Sequence, residues 1–421
     1  MISRKQTLAK TLLANGALAL ALAAGAATLT AAPAVAAKKE KAPAGANYSP
    51  KVREAAAAAQ AAMKAGDTAT ATAKIAEARA AAQTDDDRYI SSALLFDVAR
   101  TTKNDQQMAE AIDGMIASNK APAEQLPQLL KAQGQMAYNA RDYRKAQGAF
   151  ERVAQLEPTG ENYVLLAETK KQAGDVPGAL AAAQRAVDVQ KAANRPVPED
   201  WYKRARSIAY EAKNLPETTR WSNAYLAAYP SAENWRTTLS LYRDGAKLDE
   251  QQTLDLYRLM RAANALKGER DYFDYANSAF NRGLPGEAAA VIDEGQKANM
   301  VPAGSKALGE VKTLASSKVA ADRASLAGSE TKARAAANGR PAMLTADAYL
   351  GYGDYAKAAD LYAVALAKGG VDADTVNTRL GIALARSGQK AAALQAFGKV
   401  SAGPRQQIAQ YWTMWLNQQQ G

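Results

Sequence analysis

What most constrains this chain is a short spacing that returns along most of its length. In "LGIALARSGQKAAALQAFGKV", residues 380–400, Gly388 is followed five residues later by Ala393 and four later again by Phe397, with Leu380, Gly381 and Leu384 upstream. The phrase appears at Gly66, Ala71 and Ile75, and returns through Gly174 and Ala179, Gly283 and Ala288, Gly353 and Ala358. "QLLKAQGQMAYNARDYRKAQGAFERVAQLEP" fits as well, with Gly134 and Ala146 small, Tyr143 at the turn, Phe150 large and Pro158 closing the unit. Ala146 and Ala179 lie 33 residues apart, and Ala358 and Ala393 lie 35 apart. A period of this size means that each unit is one hairpin unable to bury its apolar face alone, so neighbours must stack. Alanine carries most of the 48% hydrophobic content, which favours closely approaching helices and gives strands little to pack with. Almost no sheet is expected.

These residues resemble the tetratricopeptide repeat, whose W-x2-L-G-x2-Y…A-x3-F…P pattern marks two antiparallel helices. The resemblance implies an all-α, right-handed superhelical solenoid of antiparallel helix pairs in two blocks. It places Gly381 and Ala393 where the two helices of a pair touch, with Phe397 filling the gap to the next helix. Weaker copies occur around Trp201–Pro230, where Thr218 replaces the alanine, and around Ala276 and Ala346, with a degenerate copy within 88–122. The expected organisation is a signal peptide at 1–36, a flexible linker at 37–50 and an N-terminal repeat block at 51–232. A non-consensus helical pair plus one repeat unit follows at 233–300, then a polar helical connector at 301–340 and a C-terminal block at 341–421. Tyr411, Trp412 and Trp415 are expected to cap the array by covering its last apolar face, an oligomer contact being the alternative.

The family's geometry sets the second, fifth, ninth, twelfth and thirteenth residues of each first helix on a concave face that holds peptides or partner helices. Those positions are Gln128, Lys131, Gln135, Tyr138 and Asn139 in one unit and Glu161, Val164, Glu168, Lys171 and Gln172 in the next. In the 199–232 unit they are Asp200, Lys203, Ser207, Tyr210 and Glu211. Lys131, Gln135, Tyr138, Lys171, Lys203 and Tyr210 are therefore the candidate partner-binding residues, ordinary solvated faces being the alternative. Members that clamp a terminal carboxylate use Lys and Asn, then Asn, then Lys and Arg. This chain has Lys131 and Gln135, then Leu165, then Asp200 and Arg204, and so departs from that pattern.

The sequence contains no cysteine and no histidine. That removes disulfides, thiolate nucleophiles, the usual zinc ligands and the commonest general base together. No catalytic, cofactor-binding or metal-binding set is expected. "GYGDYA" at 351–356 echoes a dinucleotide fingerprint but falls on a repeat turn, without the strand that fingerprint needs. Asp85, Asp86 and Asp87 lack the alternating ligand spacing of a calcium loop and read as helix capping. Trp201, Trp221 and Trp235 are candidates for stacking on sugar rings, with packing between helices as the alternative.

Arg4, Lys5 and Lys10 precede an apolar run that ends at Ala34-Val35-Ala36, the pattern of a cleaved secretory leader; a membrane anchor is the alternative. The mature chain is then periplasmic or secreted, with its formal charge reduced from +11 to +8 by loss of three basic residues. The expected function is a non-enzymatic scaffold of the bacterial envelope that binds protein partners. Neither a nucleic-acid partner nor stable membrane insertion after cleavage is expected. The alternative is an accessory role in exopolysaccharide or envelope polymer export.

Overall fold

The computed structural model describes residues 47–419. The signal peptide read at 1–36 and most of the 37–50 linker lie outside the described residues. Among the described residues there are twenty α-helices and no strand. Close packing divides the chain after Val197 into two compact units. The division falls earlier than the block boundary read at residue 232, so the 199–232 hairpin counts with the second unit. Leu226 shows why: its side chain is fully buried in the core that runs on to Leu416.

The first unit contains α1 (Pro50–Lys64), α2 (Thr68–Ala80), α3 (Asp85–Thr102), α4 (Asp105–Ala117), α5 (Leu126–Asn139), α6 (Tyr143–Leu156), α7 (Gly160–Gln172) and α8 (Val176–Ala192). They pack as hairpins α1/α2, α3/α4, α5/α6 and α7/α8. Each hairpin turn uses one device. The backbone passes through positive φ at Gly66 (77°), Lys103 (55°), Arg141 (64°) and Gly174 (84°). The next residue, Asp67, Asn104, Asp142 or Asp175, then caps the second helix by accepting from the N–H of Thr70, Gln107, Lys145 or Gly178. Five residues past the turn, Ala71, Ala146 and Ala179 are fully buried, which explains the recurring glycine-to-alanine spacing. Gly134 is small because Phe150 lies directly against it: a Cβ there would stand 2.8 Å from the ring.

Asp87 ties down the start of this unit. It is enclosed and accepts from Ser49 N (2.9 Å) and Oγ (2.6 Å) and from the backbone N–H groups of Gln83 and Thr84. Asp85–Asp87 form the first turn of α3, with Thr84 and Asp87 making a reciprocal capping box.

The second unit contains α9 (Glu199–Glu211), α10 (Leu215–Ala228), α11 (Ala232–Gly245), α12 (Glu250–Ala262), α13 (Gly268–Asn281) and α14 (Pro285–Lys297). It continues with α15 (Lys306–Ala335), α16 (Arg340–Gly351), α17 (Tyr355–Lys368), α18 (Ala373–Arg386), α19 (Lys390–Gly398) and α20 (Gly403–Gln418). α9/α10, α13/α14, α16/α17 and α18/α19 repeat the hairpin, with positive φ at Lys213, Gly283, Gly353 and Gly388. Residues 301–340, read as a polar connector, hold the 30-residue α15, buried only at Leu308, Val311, Ala315, Leu326 and Ala333.

This unit closes on itself. α20 packs against α18 and α19, as a terminal cap must, but also against α12. Trp235 of α11 donates its indole N–H to Gln418 (3.0 Å), and Gln418 donates to the carbonyl of Leu226 (3.1 Å). Tyr242 donates to the carbonyl of Pro404 (3.1 Å) and meets Tyr411 edge-on. Within the second unit α12 is buried from Leu254 to Met260, and α20 packs against it.

Candidate functional site

In the first unit, Lys131, Gln135 and Tyr138 stand at i, i+4 and i+7 of α5 and so share one face. The Tyr138 hydroxyl donates to Glu168 Oε1 of α7 at 3.5 Å, and Gln172 Nε2 donates to the same oxygen at 3.0 Å. The first helices of these two successive hairpins thus meet through polar side chains. Gln135 donates to Asn139 (3.0 Å). Lys131 is already engaged: its ammonium lies 2.6 Å from Glu157, and that hydrogen bond holds the Glu157 carboxyl below the usual range. Lys171 lies on α7, half-buried beside Gln172, and Leu165 of the same helix is exposed. Leu165, where the carboxylate-clamp pattern has Asn, makes this an amphipathic strip of amide, phenol and carboxylate groups beside an exposed apolar residue.

Lys203 and Tyr210 belong to α9 of the second unit. Lys203 pairs with Glu199 (2.9 Å) and sits over the Tyr225 ring, whereas Tyr210 is 57% exposed. Trp221 and Trp235 are buried, so neither presents a ring face for sugar stacking.

Sequence reasoning missed the charged interior of the second unit. Asp255 of α12 is fully enclosed and bonded by Arg258 (2.8 Å), Arg379 (3.2 Å) and Arg405 (2.7 Å). Arg258 also grips both oxygens of Glu287, at 2.8 and 2.7 Å, and Tyr275 donates to Glu287 at 2.7 Å. Arg379 continues the network to Asp347 (2.9 Å), which accepts from Tyr362 (2.6 Å). Burial pushes the Asp255 carboxyl up, but the three guanidinium groups outweigh it and hold it at about 2. Burial, reinforced by the neighbouring carboxylates, raises the Tyr275 and Tyr362 hydroxyls well above their ordinary value. The available signal was Asp255, Arg258 and Arg261 at i, i+3 and i+6 among Leu254, Tyr257, Leu259 and Met260. The partners Arg379 and Arg405 come 124 and 150 residues later, beyond any local pattern.

No family model and no curated protein matches the sequence. Solved structures similar to it include Naa15/Naa10 bound to HypK-THB, at 17% identity and TM-score 0.34, with 85% of this chain and 65% of that chain covered. A tetratricopeptide repeat protein from Parabacteroides merdae is similar at 12% identity and TM-score 0.28, covering 80% of this chain and 100% of that one. The tetratricopeptide repeat domain of P58(IPK) is similar at 10% identity and TM-score 0.25, covering 88% and 99%. The tetratricopeptide-like character of the fold rests on the chain's own hairpins, with Phe150 against Gly134 and Phe397 against Gly381.

Proposed function

We propose that the first unit is a non-enzymatic docking surface for protein partners, taking an extended segment or a helix along α5 and α7. One observation carries this reading: Tyr138 and Gln172 both donate to Glu168 across α5 and α7, with Gln135 bonded to Asn139 on the same face of α5 and Leu165 exposed on α7. Amide and carboxylate groups on such a face can meet a peptide backbone, and the apolar residue supplies a contact that water does not compete for. The absence of Cys and His from the sequence supports a binding role over a catalytic one. Placement in the bacterial envelope is part of the proposal, supported by the leader pattern at 1–36. Burial of Trp221 and Trp235 weighs against the polysaccharide-export alternative so far as it relied on sugar stacking.

The test is site-specific photocrosslinking in cells. Crosslinkers at Gln135 and Leu165 should capture the same discrete protein adduct, and one at exposed Arg144 of α6 should not. Tyr138→Ala should abolish the adduct without changing helicity. Equal labelling from all three positions would overturn the assignment of this face.

A further inference from the structure

α15 runs for 30 residues, and its buried side chains, Leu308, Val311, Ala315, Leu326 and Ala333, form one narrow stripe. That stripe meets α13, α14 and α16. Most of the helix's charges are also spent on the chain itself. Lys312 pairs with Asp293 (2.5 Å), Lys318 lies over the Phe280 ring (4.8 Å to the centroid), and Asp322 accepts from Tyr352 (2.7 Å). Arg334 pairs with Glu330 and with Asp360 of α17.

Another face of α15 is left uncovered. Ala307, Leu314, Ala321, Gly328 and Ala335 recur every seven residues, and all five are exposed. A heptad spacing keeps one stripe turned towards a second helix that crosses at about 20°. A solvated helix face ordinarily carries Lys and Glu, yet the middle of this one, Leu314, Ser317, Ala321, Ala324 and Gly328, carries no charge, and Leu314 is 53% exposed. Gly328 is a separate anomaly. Glycine is costly inside a helix, and beyond its own helix nothing lies within 4 Å of the place its Cβ would take, so the chain's own packing does not ask for it.

We propose that this face pairs with the same face of a second copy of the chain, antiparallel, about a two-fold axis through Ala321. Two matches share that centre. Leu314 and Gly328 lie seven residues to either side of Ala321, so reversal seats each exposed Leu314 on the open surface of the partner's Gly328. Glu310 and Lys332 lie eleven residues to either side, so the same reversal sets opposite charges together, twice. Both are exposed, and neither has an ion-pair partner among the described residues. A parallel pair would instead oppose Leu314 to Leu314 and each charge to its like. The apolar contacts supply the attraction, and the end charges fix direction and register. A single helix pair buries less than a standard interface, so the dimer is a micromolar one.

Sedimentation equilibrium of the full chain between about 1 and 100 μM should show the mass rising from one chain to two. Leu314→Glu should raise the dissociation constant at least about tenfold. Glu310→Lys or Lys332→Glu alone should raise it several-fold, and the two together should restore it, because the pair is re-formed with its signs exchanged. All five tryptophans, Trp201, Trp221, Trp235, Trp412 and Trp415, lie in this unit, so tryptophan emission checks that each surface variant stays folded. The sequence has no cysteine, so Ala321→Cys reads the register directly: oxidation should link two chains through it, and Ser316→Cys, exposed on another face of α15, should not link. A mass of one chain at every concentration would overturn the proposal and leave the face to a different partner. So would a dimer that survives Leu314→Glu, or one that links through residue 316 as readily as through 321.

Discussion

A left-handed turn costs glycine almost nothing and costs a side chain its Cβ contact with the following carbonyl. Gly66, Gly174, Gly283, Gly353 and Gly388 meet that requirement freely, whereas Lys103 holds φ 55°, ψ 38° at the end of α3. Lys103→Gly is expected to stabilise the first unit by about 1 kcal/mol, seen as a higher urea midpoint with unchanged slope. The opposite sign belongs to Gly134. Alanine there gains about 1 kcal/mol in helix propensity, but its methyl would sit 2.8–3.0 Å from the Phe150 ring. Overpacking of about 1–3 kcal/mol should win, so Gly134→Ala should lower the midpoint and Phe150→Leu should restore it in the double variant. These positions were legible in the sequence because each is imposed locally: a turn needs a small residue, and two helices touching need another. The caps were legible in principle too, since Asp67, Asp142 and Asp175 each follow a turn residue and precede the buried alanine by four.

At the scale of elements, α12 departs furthest from the repeat. The segment 231–271 broke the glycine–alanine pattern, and the reason is that α12 carries Asp255 and Arg258 into the interior of a closed unit instead of facing a hairpin partner through small residues. Nothing local in "EQQTLDLYRLMRA" says that Arg379 and Arg405 will meet Asp255, so the fold class was readable and the closure was not. The network fixes this register because a buried charge without its partner is costly. Asp255→Asn, which leaves Arg258, Arg379 and Arg405 under-compensated, should destabilise the unit by about 3–5 kcal/mol. Proton linkage gives a second reading of the same contact. The Asp255 carboxyl titrates near 2 in the folded chain, against about 3.9 when unfolded, so folding favours its ionised form. The stability it adds is complete above about pH 4 and is lost as the pH falls towards 2. Tryptophan-detected unfolding should therefore weaken over that window in the wild type, and the slope should be shallower in Asp255→Asn.

For the second unit taken whole, the question is whether α20 merely covers the last hairpin or holds the unit shut. A passive cap would contact α18 and α19 alone. The observed helix also reaches α12, exchanges hydrogen bonds with Trp235, Tyr242 and the Leu226 carbonyl, and stacks Trp412 on Phe397. Tyr411 and Trp412 are fully buried within the unit, which removes them from any contact between copies of the chain. Truncation before residue 403 should then lower the melting of the tryptophan-reported unit by about 10 °C, from the lost Arg405 pair and aromatic burial together. A synthetic peptide of residues 403–418 added in excess should raise it again, because a ligand that binds only the folded state stabilises by mass action. An oligomer contact would behave differently: truncation would change the mass in solution and leave the melting temperature where it was. If the truncated chain melts like the full one, α20 is a passenger, and the closure of the second unit has to be carried by Asp255 and Arg379 alone.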